Sequence, residues 1–307
     1  MTRRKSPTRG IIVFILGVLL ALLLFFHSRL PETKGLALVV ESALPWTVVL
    51  VVLLIIMGLI RFSFLGILGF LIPAVVWCSM FGGYLRPTFG TADGQLTVAT
   101  QNVGAKLSQP TATAQNLLDR KPDVLAVQEL ASKSGKIIKS KLDGAYSYSR
   151  VEDSLGLWSK YPLGESKVID LGLKWPRAFR TVLAGPNGDI ALYAVHIPSV
   201  RIGEEDLRNA ALEKLAQIVR QDSAGRVIML GDLNAGGADR YLGNLTTELQ
   251  DSRAATGGGF GATWPTQFPL VRLDHVLTRG FDVKSDEVLD RGTSDHRAVV
   301  VRLDQSE

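Results

Sequence analysis

The chain has 307 residues, of which 47 % are hydrophobic, a net charge of +5 and a pI near 9.3. Its single cysteine, Cys78, excludes any disulfide within the chain and so the disulfide-stapled scaffolds. The mean hydropathy of +0.20 is high for a soluble protein, and nearly all of the excess lies before Leu85. A basic surface suits anionic partners such as nucleic acid, anionic lipid or phosphate esters, although part of the excess charge simply flanks the apolar segments.

Residues 11–26 carry no charge and no proline and read as an apolar helix. A second apolar run covers 43–60, entered at Pro45-Trp46, and a third covers 62–85 with Pro73 inside it. Runs of about 20 apolar residues match the hydrocarbon thickness of a bilayer. Three in succession, with no small-residue cleavage pattern after Phe26, exclude a simple secretory signal. Pro73 is tolerable inside a membrane helix as a kink, and Trp46, Trp77 and Tyr84 include candidate interface anchors. Arg3, Arg4, Lys5 and Arg9 precede the first run; Arg29 and Lys34, offset by Glu32, follow it; Arg61 separates the second from the third. By the positive-inside rule residues 1–10 form a basic cytoplasmic tail. Three spans over 11–85 then place the remaining chain outside the cytoplasm, as a multi-pass membrane protein. Residues 86–95 are short, polar and Gly- and Pro-containing, and read as a linker.

Residues 96–307 suffice for one domain with a substantial core. Residues 96–100 alternate as a strand that ends at Gln101-Asn102-Val103. Residues 111–120 have helical character, stopped at Lys121-Pro122. Residues 122–129 form an apolar strand ending in Glu129, and 132–142 a basic helix. Residues 155–163 read as strand and turn, and 179–184 with 190–196 as a hairpin about Pro186-Asn187-Gly188. Residues 204–222 form an amphipathic helix with Leu207, Ala211, Leu215 and Ile218 on one face. The run Val227-Ile228-Met229-Leu230 then enters Gly231-Asp232-Leu233-Asn234 and reads as a strand buried on both faces. A short helix at 241–249 and strands at 272–278 and 298–303 complete the domain. Interleaved strands and helices make the class α/β or α+β with layered sheets.

Polar groups recur where these strands leave the core: Asn102, Glu129, His196, Asp232 with Asn234, and Asp295-His296. Asp232 and Asn234, two apart in extended chain, point the same way. They can hold a hard cation, a water or a phosphate, or merely form a strand-end Asx turn. Asp274 within an apolar strand requires a partner. Acids, amides and imidazoles together, with no Gly-rich phosphate loop, suit a one- or two-metal phosphoesterase.

The segments Asn102-Val103, Val127-Gln128-Glu129, Val195-His196, Gly231-Asp232-Leu233-Asn234, Leu273-Asp274-His275 and Ser294-Asp295-His296 occur in an order that resembles the endonuclease/exonuclease/phosphatase superfamily. This is the DNase I-like fold shared with sphingomyelinases and inositol phosphatases. The resemblance covers 95–307 and implies a four-layer sandwich of two packed mixed β-sheets flanked by helices. The three preceding spans look like those of bacterial membrane-bound members linked to antibiotic, specifically teicoplanin, resistance.

The resemblance further implies roles. Glu129 would be the chief ligand of Mg²⁺ or Mn²⁺, with Asn102 and Asp295 nearby. Asp232 would align or deprotonate the attacking water, and Asn234 would hold a phosphate oxygen. His196 and His296 would donate to the phosphoryl oxygens, with Asp274 orienting His296. Arg177 or Arg180 would add a phosphate contact. Gly104 departs from some nucleases of the family, which carry an acid two residues after the asparagine. The expected substrate is a lipid phosphate or pyrophosphate, such as an undecaprenyl carrier, in the outer leaflet of the bilayer. The alternatives are a membrane-tethered nuclease, for which Lys133, Lys136, Lys139 and Lys141 form a candidate patch, and a sphingomyelinase-like phospholipid phosphodiesterase.

Overall fold

The computed structural model describes residues 9–88, 94–199 and 205–306. Arg3, Arg4, Lys5, the middle of the 86–95 linker and Glu204 lie outside the described residues. The N-terminal third holds helices α1 (Ile11–Phe26), α2 (Leu36–Ala43), α3 (Val48–Arg61) and α4 (Phe64–Phe81). With their flanking 3₁₀ turns they form three stretches long and apolar enough to cross a membrane: Ile11–Arg29, Leu36–Arg61 and Phe64–Leu85, of 19, 26 and 22 residues.

The second stretch starts at Leu36 rather than at 43. Pro45 falls in the first turn of its 3₁₀ segment, where a missing N–H is no loss. The early part also carries Glu41, buried against a partner remote in sequence. The third stretch starts at Phe64, because the Ser63 hydroxyl caps it by accepting from the Gly66 N–H at 3.1 Å. α1 and α4 cross closely: a Cβ on Gly17 would lie 1.6 Å from the Gly69 carbonyl oxygen. Small residues at such crossings let membrane helices meet backbone to backbone. Trp77 is buried in this bundle rather than set at its rim.

The C-terminal domain is built on two six-stranded sheets. The first holds β1 (Leu96–Asn102), β2 (Val124–Gln128), β3 (Tyr148–Glu152), β4 (Leu155–Ser159), β11 (Phe281–Val288) and β12 (Val299–Gln305), in the order β11-β12-β1-β2-β4-β3. The second holds β5 (Lys167–Val168), β6 (Ala178–Gly185), β7 (Gly188–His196), β8 (Val227–Asp232), β9 (Gln250–Asp251) and β10 (Asp274–Arg279), in the order β5-β6-β7-β8-β10-β9. Both are mixed: β1 runs parallel to β2 and β7 to β8, while β12 and β10 pair antiparallel.

Alternation sorts the side chains into layers. Val98, Ala126, Leu157, Leu192, Ile228 and Leu230 fill the space between the sheets. Val227 and Met229 face the other way, onto α7 (Glu205–Gln221) and α8 (Arg240–Thr246). Ala99, Leu125 and Val127 face α5 (Pro110–Asp119) and α6 (Lys133–Asp143). The result is the four-layer sandwich, with a short α9 (Ser252–Thr256) at one end.

The buried face of α7 is rotated from the one expected. Arg208, Ala211, Leu212, Leu215, Ala216 and Val219 point inward, while Leu207 is 60 % exposed. A charged residue on the apolar side displaced the expected face by one position.

The membrane helices do not hang from the linker alone. Arg240 at the start of α8 reaches into the turn between α1 and α2. Its Nε donates to Glu41 at 2.6 Å, and its two Nη atoms donate to the carbonyls of Leu30 and His27 at 2.9 and 3.0 Å. The Gly35 N–H donates to Glu205, and Asn209 and Tyr241 both donate to Glu32. Phe260 is enclosed by Trp46, Trp77, Phe81 and Tyr84, with ring centroids 5.7–6.2 Å away.

Candidate active site

Strand register sets the site. β7, β8 and β10 lie side by side, so that His196 pairs with Asp232 and Asp232 with Asp274 in one row across the second sheet. In the first sheet Asn102 pairs with Gln128, which puts Glu129 one step beyond the end of β2. The segment before β12 brings in Asp295 and His296. Two strand ends need unusual backbone. Gly231 has φ +148°, and a Cβ there would meet the Val195 carbonyl oxygen at 1.9 Å. Glu129 and Asn234 adopt left-handed φ of 67° and 47°, a strained conformation for such residues and one that recurs where function dictates side-chain direction.

Asp232 is the hub. Its Oδ1 accepts from the Asn234 backbone N–H at 2.9 Å; its Oδ2 accepts from Asn102 Nδ2 at 2.9 Å and Asn234 Nδ2 at 3.1 Å. Asn102 Nδ2 also donates to Glu129 at 3.1 Å, while its oxygen accepts from the Gly104 N–H. Asn102, expected beside the metal ligand Glu129, clamps Glu129 and Asp232 together with its nitrogen. Both amide hydrogens of Asn234 are engaged, one by Asp232 and one by the Ile197 carbonyl at 2.9 Å. Its side chain holds Asp232 rather than pointing free towards a phosphate.

The two histidines carry different charges. His296 Nδ1 donates to Asp274 at 2.8 Å, and its Nε2 faces Asp232 at 4.0 Å. Burial works against its proton, but Asp274, Asp232 and Asp295 outweigh burial and push it up to about 10, so His296 is a cation at neutral pH. Asp274, although buried, is held below the usual carboxylate range by the same partner. His196 is driven down to about 3 by burial, with Arg177 and His296 adding to the effect. It is therefore neutral. Arg177 Nη1 lies 3.0 Å from His196 Nδ1 and can only donate, so the ring proton sits on Nε2. That N–H faces Glu129 and Asp232 at 3.8 and 3.9 Å. Asp232 itself is raised to about 7 by burial and by Asp274, against the pull of His296 and Asn102.

An open cleft of about 820 Å³ adjoins this hub. Glu129 and Asp295 stand in it with Lys106, Arg291 and Phe268. Gly104 lines it too, and a Cβ there would lie 2.4 Å from Asp295 Oδ1, so the missing acid leaves room for Asp295. Asp232, Asp274 and His296 bring ligand-type atoms within 4.8 Å of one another. Two of these three are already joined by a proton, and both oxygens of Asp232 accept hydrogen bonds, so the carboxylates that stand open to the cleft are Glu129 and Asp295. An all-oxygen set with surplus negative charge and no thiolate fits Mg²⁺ or Mn²⁺.

Arg177 belongs to the site and stacks on Trp175 at 5.3 Å. Arg180 does not: its guanidinium pairs with Asp222 at 2.8 Å and lies over Tyr193. His275, next to Asp274, points away and bonds Asp251 and the Ala235 carbonyl, both at 2.9 Å. Sequence reasoning missed Lys106, Arg291 and Phe268, which lie in loops without pattern. It also missed Arg208, which donates to the Asn234 carbonyl at 3.0 and 3.1 Å and to Asp239. Its signal was a charge in phase with Ala211, Leu212 and Leu215.

The geometry has counterparts. A family model described as the Endonuclease/Exonuclease/phosphatase family matches residues 99–296. No curated protein matches the chain. Among solved structures, D. rerio TDP2, humanised by 14 mutations, superposes with a TM-score of 0.58 at 19 % identity, over 68 % of this chain and 98 % of that one. The Bacteroides thetaiotaomicron mannosyl-6-phosphatase gives 0.54 at 19 %, over 68 % and 99 %. An endonuclease/exonuclease/phosphatase from Bacteroides vulgatus gives 0.55 at 15 %, over 69 % and 99 %. At such identities the superpositions establish the fold. Together with the family match they make this chain a member of the endonuclease/exonuclease/phosphatase family, hydrolases that act on phosphate esters.

Proposed function

We propose that the protein is a membrane-anchored, divalent-metal-dependent phosphoesterase that hydrolyses a lipid phosphate or pyrophosphate at the extracytoplasmic face. The observation that carries this reading is the direct seating of the catalytic domain on the ends of three apolar helices through Arg240, Trp46 and Phe260. This seating supports a phosphoesterase cleft held close to lipid head groups. The positive-inside bias of Arg3, Arg4, Lys5 and Arg9 supports an extracytoplasmic domain. The likeness to membrane members linked to teicoplanin resistance rests on the same three-span arrangement, and an undecaprenyl carrier is the substrate it favours.

Bound Mg²⁺ or Mn²⁺ would neutralise charge on the phosphoryl oxygens, held by Glu129 and Asp295 with Asp232 nearby. The remaining steps belong to the chain. Asp232, raised to about 7, has the proton affinity of a general base and takes the proton of the attacking water. Asn102 and Asn234 fix its two oxygens in place. The His296 cation and the His196 Nε2–H donate to phosphoryl oxygens as negative charge grows in the transition state. Asp274 holds the His296 ring through Nδ1 so that Nε2 is turned towards Asp232.

The test runs detergent-purified full chain with Mg²⁺ against two substrates in parallel, with Asp232→Ala as control. One arm follows phosphate release from undecaprenyl pyrophosphate and the other nicking of plasmid DNA. Release that disappears in the control supports the proposal. DNA nicking without lipid turnover overturns it in favour of a tethered nuclease.

A further inference from the structure

The segment between Thr263 and Arg272 is a hairpin. The Trp264 N–H donates to the Val271 carbonyl at 3.0 Å, and the Val271 and Leu270 N–H groups donate to the Trp264 carbonyl at 3.0 and 2.9 Å. Its seven residues from 264 to 270, Trp-Pro-Thr-Gln-Phe-Pro-Leu, carry no charge. Trp264, Phe268 and Leu270 are 41, 73 and 43 % exposed. A contiguous exposed apolar patch on an otherwise ordinary surface marks a contact.

Its position says with what. The Leu270 carbonyl accepts from the Trp46 indole N–H at 2.9 Å. Trp46 lies in the 3₁₀ turn just before α3, where the Leu36–Arg61 stretch turns from α2 into α3, and the next outward residues of α3, Val49 and Leu50, are 57 and 49 % exposed on a stretch apolar enough to span a membrane. Trp is the residue of the membrane–water boundary. One leg of the hairpin therefore stands at the height where the helices leave the bilayer, and its tip lies within about 7 Å of that level, two residues further on. The paired backbone of the legs satisfies the polar groups that a membrane interface would otherwise penalise.

The same hairpin is a wall of the catalytic cleft. Phe268 and Thr266 share the 820 Å³ space with Glu129 and Asp295, and Lys106 and Arg291 supply positive charge across it. The cleft thus combines the uncharged hairpin with the charges of Glu129, Asp295, Lys106 and Arg291.

We propose that the 264–270 hairpin is immersed in the lipid interface with Phe268 at its tip, and that the cleft opens along it to the bilayer plane. The occupant of this face is the bilayer leaflet that surrounds Trp46. The substrate class is a phosphate-headed amphiphile whose hydrocarbon chain stays in lipid and passes over Phe268. The immersion rests on the hairpin alone; the substrate class rests on the function proposed above.

The test reads depth, not activity. Phe268→Cys is made in full-length Cys78→Ser protein, labelled with a nitroxide and reconstituted in nanodiscs of phosphatidylcholine and phosphatidylglycerol. Collision rates with oxygen and with a water-soluble nickel chelate are compared with labels at Val49→Cys, on the lipid-facing side of a span, and Ile137→Cys, on the outer face of α6. The expected result is an oxygen-to-nickel ratio at 268 close to that at 49 and several-fold above that at 137. A ratio equal to that at 137 overturns the proposal. Gln267→Cys, exposed on the same tip, gives the same discrimination should the 268 variant misfold. A lipid-like ratio together with no turnover of any lipid phosphate would retain the immersed hairpin and sink the assigned substrate class, so the two ideas fail separately.

Discussion

Replacing Asp274 by Asn removes the buried charge that sets the protonation of two catalytic groups at once. In the intact site Asp274 keeps His296 protonated up to about 10 and adds to the burial that raises Asp232 to about 7. Activity should therefore follow a bell whose acid limb lies near 7 and whose alkaline limb lies near 10. Without Asp274 the His296 ring loses its main anionic partner while remaining buried, so its affinity falls to the ordinary 6.5 or below. At pH 8 a group of pKa 6.5 is only about 3 % protonated, which predicts a loss of about thirtyfold in kcat/KM from charge alone. Asp232 loses a repelling neighbour at the same time, so its limb moves to lower pH. The whole bell should shift towards acid, and at pH 6 the variant should recover most of its deficit. The assay is kcat/KM on a soluble nitrophenyl phosphodiester with Mn²⁺ from pH 5 to 10.5, with thermal melting as a folding control. A uniform loss at every pH, with both limbs unmoved, would refute the claim that Asp274 acts through protonation.

Four further outcomes are expected. Glu129→Gln should abolish Mg²⁺ binding in calorimetry while leaving the melting temperature within a few degrees, because that side chain is partly exposed and strained rather than core. Arg208→Ala should destabilise the protein by about 3–5 kcal/mol in denaturant unfolding, because it removes the cation from the buried Asp239, whose Oδ1 keeps only the helix-capping N–H groups, and the donor from the Asn234 carbonyl; kcat should fall more than KM rises. Gly231→Ala should cost about 3 kcal/mol or more, since the new methyl must push β8 from β7 at the row that holds His196 and Asp232. Burial opposes the Asp222 carboxylate, yet Arg180, Tyr193 and the Ala224 N–H hold it down at about 2. A depressed carboxyl stabilises the fold above its ordinary 3.8 and stops doing so as pH falls towards 2. The melting difference between the intact chain and Asp222→Asn should therefore be constant above pH 5 and shrink between about 4 and 2.

The parts of the molecule that were legible share one property: their signal is local. The apolar run at 227–230 is a central strand because one sheet face needs Met229 and the other Ile228 and Leu230. The polar residues at the ends of β1, β2, β7 and β8, namely Asn102, Glu129, His196 and Asp232, come together because those strands leave the sandwich at the same rim. What was not legible depends on partners far along the chain. β11 reads Phe-Asp-Val-Lys-Ser-Asp-Glu-Val and lacks an apolar run because it is an edge strand. Its Asp286 is nonetheless buried, paired with Arg272 at 2.7 Å and with Arg253. No spacing within 281–288 announces those arginines. Arg180 and Arg177 look alike in sequence, yet, three apart in extended chain, they leave opposite faces, one for Asp222 and one for His196. Which face carries the site decided between them, and only the assembled sheets supply it.

Arg240 and Arg208 stand two elements apart but form one line of contact. Arg240 grips the turn between the first two membrane helices, its neighbour Asp239 is bonded by Arg208, and Arg208 holds the carbonyl of Asn234, which fixes Asp232. A truncated chain that begins at residue 94 would leave Arg240 without Glu41, strip the aromatic enclosure from Phe260 and loosen the far end of that line. The apolar helices are then a piece of the domain's skeleton, not a replaceable stalk. Exchanging them for other apolar segments of equal length should still slacken the hold on Asp232.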